Sequence, residues 1–220
     1  MTRLDVRRTL IHGAVLLLAV GLAGCAPEPA EPAPTGEELV DQARQHYFEY
    51  RTITNDVQAL IFAGAWESDI GGYGMQPTDL GCRDDEYGFD FTRVTRLPSD
   101  DHAALNDSVL DYLHEAGYEV EGQQLGSGTS QSLDLIVSEQ APFKQLMITT
   151  IGNGSVLVTA ETMCWPGDRD ELSDLIFGDV NLSQGYLPGQ ESPTDPLFFG
   201  ITPGEPAFTN KPTPTPTPTE

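Results

Sequence analysis

The chain has 220 residues and carries 34 acidic against 11 basic side chains, a formal net charge of −23. A surface that acidic repels phosphate backbones and anionic headgroups, which excludes nucleic acid as a partner and peripheral membrane docking through a basic patch. Most of the 17 prolines fall near the two ends, leaving between them a length of chain suited to one hydrophobic core.

In chain order, Arg3, Arg7 and Arg8 precede an apolar run from Ile11 to Leu22, which ends in Leu22-Ala23-Gly24-Cys25. A basic leader, a short apolar segment and small residues ahead of a cysteine form a lipoprotein signal peptide, residues 1–24. Ala23 and Gly24 let a peptidase close on the backbone, and the Cys25 thiol then carries the lipid. As a helix the run reaches about 18 Å, short of a bilayer core of about 30 Å, so a membrane span does not account for it. The expected location is the outer face of the cytoplasmic membrane, with the membrane as partner through a lipid anchor on Cys25. Arg7-Arg8 loosely resembles a twin-arginine signal and leaves the export route open. Cleavage would remove three arginines and one aspartate, making the mature chain more acidic still.

Of 3 cysteines, lipidation of Cys25 leaves Cys82 and Cys164. An even pair in an exported protein is expected to form a disulfide. A two-thiolate metal site would need histidines at ligand spacing, and none lies near either cysteine.

Residues 25–36 alternate proline with small and acidic residues and read as a semi-rigid tether that lifts a domain off the membrane. The expected domain covers residues 37–166. Residues 167–220 read as a loosely packed or disordered tail ending in a Pro-Thr repeat from Lys211. Leu197, Phe198, Phe199 and Ile201 interrupt that tail with enough apolar surface to dock, most naturally on the domain itself.

Thr35 and Glu38 have the spacing of a capping box. Val40, Ala43, Tyr47, Tyr50, Ile53, Val57 and Leu60 then recur every three or four residues, one face of a helix ended by Gly64. Ala65 to Asp85 is rich in glycine and reads as a long loop pinned at Cys82. Tyr87, Phe89 and Phe91 alternate as a half-buried strand running towards Leu97. Asp100 and Asp101 suit a helix start, and Leu105, Val109, Leu110 and Leu113 form its stripe up to Gly117. Strands follow from Tyr118, across Leu133 to Val137, and over Leu146 to Ile151. Gly152-Asn153-Gly154 turns the last of these into Val156 to Met163, the clearest hairpin in the chain. This order predicts an α+β domain, a mainly antiparallel sheet with helices on one face.

The chain offers little conventional chemistry. It contains no Gly-x-Ser-x-Gly elbow and no Ser-x-x-Lys, and the mature part holds only His46, His102 and His114. His46 sits beside the apolar stripe of the first helix as a packing or surface residue, and His102 and His114 read as solvated. Asp84-Asp85-Glu86, Asp100-Asp101 and Asp168-Arg169-Asp170-Glu171 are dense in oxygen but match no calcium loop, and read as a solvated acidic surface. No metal and no cofactor is expected. Gly126 to Ser130 lacks the following helix and lysine of a phosphate cradle and reads as a strand connection. Trp66, Tyr73 and Trp165 are the best candidates for contact with a ligand or partner, because the loop held by Cys82 would bring them together as an aromatic surface for a sugar ring or an apolar anchor. Core packing around the disulfide accounts for the same residues without a ligand and is the preferred reading.

Leu22-Ala23-Gly24-Cys25, the long first helix, the Trp66 segment, Gly81-Cys82, Ala116-Gly117-Tyr118, the hairpin and Thr162-Met163-Cys164 together resemble the small actinobacterial lipoproteins of unassigned chemistry, the LppA-like group, over residues 22–166. The resemblance implies an exported α+β domain with one disulfide, and implies no active site. The expected function is a membrane-tethered, non-enzymatic domain that binds a protein or a cell-wall component of the envelope. The alternatives are a cell-wall enzyme or accessory using carboxylates, and a spacer.

Overall fold

The computed structural model describes residues 32–68, 72–178 and 189–201, with two-residue strands at 185–186 and 209–210. The expected leader over residues 1–24, the expected lipidation site Cys25 and the Pro-Thr repeat lie outside the described residues. In chain order the elements are α1 (Gly36–Ile61), β1 (Trp66–Ser68), a 3-10 turn (Gly72–Gly74), β2 (Pro77–Thr78) and β3 (Glu86–Arg96). A second 3-10 turn (Ser99–Asp101) leads into α2 (His102–Glu115), followed by β4 (Glu121–Leu125), β5 (Ser132–Gln140), β6 (Phe143–Ile151) and β7 (Ser155–Thr162). The chain closes with β8 (Trp165–Pro166), α3 (Arg169–Phe177), β9 (Gly185–Tyr186), β10 (Gln190–Glu191) and β11 (Thr209–Asn210).

Among the described residues the main sheet runs β10-β1-β3-β7-β6-β5-β4, with β2 and β8 also pairing to β3, and every pairing is antiparallel. The fold is α+β, as the order of elements predicts. Period-two alternation sets the faces. Tyr87, Phe89 and Phe91 of β3, Val156, Val158 and Ala160 of β7, and Leu146 and Ile148 of β6 turn inward into one core with the buried stripes of α1 and α2, and Asn106 of α2 donates to Thr150 of β6 at 3.0 Å. Asp90, Thr92 and Val94 alternate to the other face and stay partly exposed. At the β6–β7 turn, Gly154 adopts φ 92° and returns its N–H to the Ile151 carbonyl at 2.8 Å.

The buried stripe of α1 is Leu39, Ala43, Tyr47, Tyr50, Val57 and Ile61. It is rotated slightly from the one the spacing suggests, so Val40 and Ile53 are half-buried and Leu60 is exposed. The capping box does not form: Thr35 makes no side-chain cap. Instead the Gly36 N–H donates to Glu171 Oε1 of α3 at 2.8 Å, so the first turn is capped from 135 residues away.

That contact belongs to the main departure from the expected domain limits. The fold does not stop at residue 166. Asp168 accepts the Glu171 N–H at 2.7 Å and starts α3, whose Leu172, Ile176 and Phe177 are buried. β10 then adds an edge strand to β1, and Phe199 packs against Tyr47 and Phe89. No local period announces α3 or β10, whereas Phe198, Phe199 and Ile201 dock on the core of the domain as their apolar character predicts. Cys164 ties back to Cys82 with Cα atoms 5.6 Å apart, closing the end of the sheet onto the loop before β3. No described helix is long and apolar enough to cross a membrane.

Candidate functional site

The structure separates the three aromatic candidates. Trp66 in β1 is fully buried, and its indole N–H donates to the Phe62 carbonyl at 2.8 Å. It is a core residue with no surface to offer a ligand. Trp165 is half-buried beside the disulfide and stacks on His46 at 4.1 Å with planes 11° apart. His46 Nδ1 lies 3.1 Å from the Tyr87 hydroxyl, and burial lowers its pKa. Only Tyr73 lines a cavity of about 380 Å³, within the roughly 300–1,000 Å³ typical of small-ligand sites.

That cavity lies between α1, the 3-10 turn at Tyr73 and the segment from Gln190 to Phe198. Tyr47, Arg51 and Asn55 line it from α1, and their spacing of four residues places them on one stripe of the helix. The Arg51 guanidinium organises the floor. Its Nη1 donates to the Tyr73 carbonyl at 2.6 Å, and its Nη2 donates to Asn55 Oδ1 at 3.0 Å and Glu191 Oε1 at 2.8 Å. Arg93 Nε approaches the same Glu191 oxygen at 2.7 Å. Both guanidiniums also lie over the Phe91 ring, 4.5 and 4.3 Å from its centroid, where the ring quadrupole favours a desolvated cation.

Electrostatics follow from this burial. Burial disfavours the Arg51 charge, but the Tyr47, Glu191 and Tyr50 oxygens more than offset it, and its pKa lies above the ordinary value. The Tyr73 phenol is pushed up to about 12, first by burial and then by the Glu191 charge. It stays protonated at neutral pH and donates to the Gln190 carbonyl at 3.5 Å.

Tyr73 has φ 60° and ψ 27°, a left-handed conformation that costs a bulky residue on the order of 1–3 kcal/mol. Two buried donors hold it there, since its carbonyl accepts from Arg51 and, at 3.2 Å, from the Tyr47 hydroxyl. The next residue, Gly74, accepts from the Tyr50 hydroxyl. The Tyr73 ring meets Phe198 at 5.3 Å between centroids, which makes one aromatic wall from two distant parts of the chain.

Among the described residues no group of three His, Cys, Asp or Glu side chains converges as a metal site. The acidic runs instead have local roles. Arg83 pairs with Glu86, Asp168 caps α3, and Arg169 pairs with Asp170 and Asp79. His102 departs from its expected solvation and is buried. The 3-10 turn before it sets the phase of α2, so His102 falls on the inward stripe with Leu105, Asn106, Val109 and Leu113.

No protein-family model matches this chain, and neither the search of curated proteins nor that of solved structures finds a match.

Four of the site's residues, Arg51, Asn55, Arg93 and Glu191, carry no sequence motif. Arg93 alone leaves a signal, because it occupies the inward register of Tyr87, Phe89 and Phe91 where an apolar residue is expected.

Proposed function

We propose that this protein is a lipid-anchored extracytoplasmic domain, of the kind found in small actinobacterial lipoproteins, that binds a component of the cell envelope in the cavity between α1 and the 190–198 segment. The observation that carries this reading is the cavity itself: aromatic rings and hydrogen-bonding side chains converge on it around a floor of fixed, buried charges. The Leu22-Ala23-Gly24-Cys25 sequence supports the anchor. The Cys82–Cys164 disulfide supports an oxidising compartment. The high negative charge keeps a tethered domain soluble and argues against nucleic acid as the bound component.

The test places a photoreactive residue at exposed Gln190, on the cavity, and another at exposed Ser138, in β5, in the lipidated protein within its own envelope. Capture from position 190 and not from 138 is the expected result. Equal capture from both, or none, sinks the binding reading. Separately, Cys25→Ala should release the protein or leave its leader uncleaved, and unchanged processing with membrane retention sinks the anchor.

A further inference from the structure

We infer that the cavity takes a neutral saccharide unit, an inference that rests on the binding reading above. The argument is one of complementary chemistry. An anion is disfavoured, because the Arg51 guanidinium is already spent on Glu191 and the Tyr73 carbonyl while the Asp195 carboxylate faces the cavity. A cation finds only that one carboxylate, since Glu191 is spent on Arg51 and Arg93, and no metal-binding group of three exists among the described residues. A wholly apolar ligand would cover the Asn55 amide N–H groups and Asp195 Oδ1 without offering them a hydrogen-bond partner.

What remains is a neutral molecule with an apolar face and a rim of groups that both donate and accept. Tyr73 and Phe198 supply the wall for such a face. Donors and acceptors are interleaved around it. Asn55 spends Oδ1 on Arg51 and keeps its amide N–H groups. Asp195 spends Oδ2 on the Ser192 N–H at 2.7 Å and keeps Oδ1. Gln190 projects an exposed amide from β10. A pyranose ring presents C–H groups on its faces and hydroxyls at its edge, and each hydroxyl donates and accepts at once. The strained Tyr73 backbone fits the same purpose, since Arg51 and Tyr47 hold the aromatic wall in place before any ligand arrives.

The experiment titrates the purified full chain with maltose, cellobiose and N-acetylglucosamine, and with glucuronic acid as the charged counterpart, following saturation transfer and Tyr73 line shape by NMR. At least one neutral sugar is expected to saturate, with glucuronic acid weaker by roughly tenfold, the effect of one unfavourable contact with the exposed Asp195 carboxylate. Asn55→Ala should weaken that sugar by roughly tenfold. Gln190→Ala, a rim variant whose strand pairing uses only backbone, should weaken it less while leaving the fold intact. Failure of every neutral sugar to saturate overturns the assignment, as does binding that Asn55→Ala and Gln190→Ala leave unchanged. If an uncharged dipeptide amide binds in their place while envelope capture at position 190 persists, the saccharide class is wrong and the binding reading stands. Loss of that capture as well means that the binding reading itself has failed.

Discussion

Glu191 Oε1 stands 2.8 Å from Arg51 Nη2 in a pair whose side chains are only 4% and 2% exposed, across 140 residues of sequence. The carboxylate comes from a segment rich in proline and glycine, and it brings a charge to two guanidiniums that α1 and β3 have already buried. Removing the carboxylate takes the shared counter-ion from two buried guanidiniums. Glu191→Ala is therefore expected to cost about 3–5 kcal/mol in urea denaturation. It should also raise hydrogen exchange in β10 and in residues 197–201 before the rest of the sheet. A loss under about 1 kcal/mol, with exchange unchanged, would show that the ion pair does not hold the segment.

Gln58 gives a prediction of opposite sign. It is fully buried in α1, and neither its Oε1 nor its Nε2 has a partner among the described residues. An unsatisfied buried amide costs about 1–3 kcal/mol, whereas methionine has a similar volume and no such penalty. Gln58→Met should raise stability by about 1 kcal/mol in thermal or urea unfolding. Destabilisation would reveal an ordered water or other partner on that amide.

What the sequence discloses depends on how local each signal is. The β6–β7 hairpin is legible because its alternation and its Gly-Asn-Gly turn lie within one short window. The length of α1 is legible from its repeat, yet the phase of its buried face is not, because Leu39 and Ile61 replace Val40 and Leu60 only once α3 and the sheet are in place. The disulfide is legible by parity alone. The cavity is a different case. No local pattern marks Glu191, and only its long-range contact with Arg51 and Arg93 sets it apart. Trp66 and Trp165 are equally ambiguous as isolated residues, since core packing and ligand contact both favour a large ring.

The disulfide closes a span with a sequence separation of 82 between Cys82 and Cys164, and chain entropy makes a bridge of that length worth at most about 4–5 kcal/mol. Cys82→Ala with Cys164→Ala should lower stability towards that limit while leaving the β5–β6–β7 meander folded, since its pairing does not involve either cysteine. Urea midpoints with and without reductant measure it on the native chain. Intact mass without reductant should be two hydrogens below the dithiol form. Equal midpoints in the two conditions would mean that the bridge restrains a chain already constrained when unfolded.

His46 makes a prediction about pH. Burial against Trp165 lowers its folded pKa below the ordinary 6.5, so the folded state favours the neutral ring. The unfolded chain then binds the proton first as pH falls below about 6.5, and stability drops from there down to the folded pKa. Below the folded pKa both states are protonated and this contribution is lost in full. Above about 6.5 neither state is protonated, and the contribution is fully present. The His46 resonances should titrate with a midpoint below 6.5. The difference in stability between the native chain and His46→Gln, followed by urea denaturation at several pH values, should change only across that window. A midpoint at or above the ordinary value would mean that the ring gains more from the Tyr87 hydroxyl as a cation than it loses by desolvation.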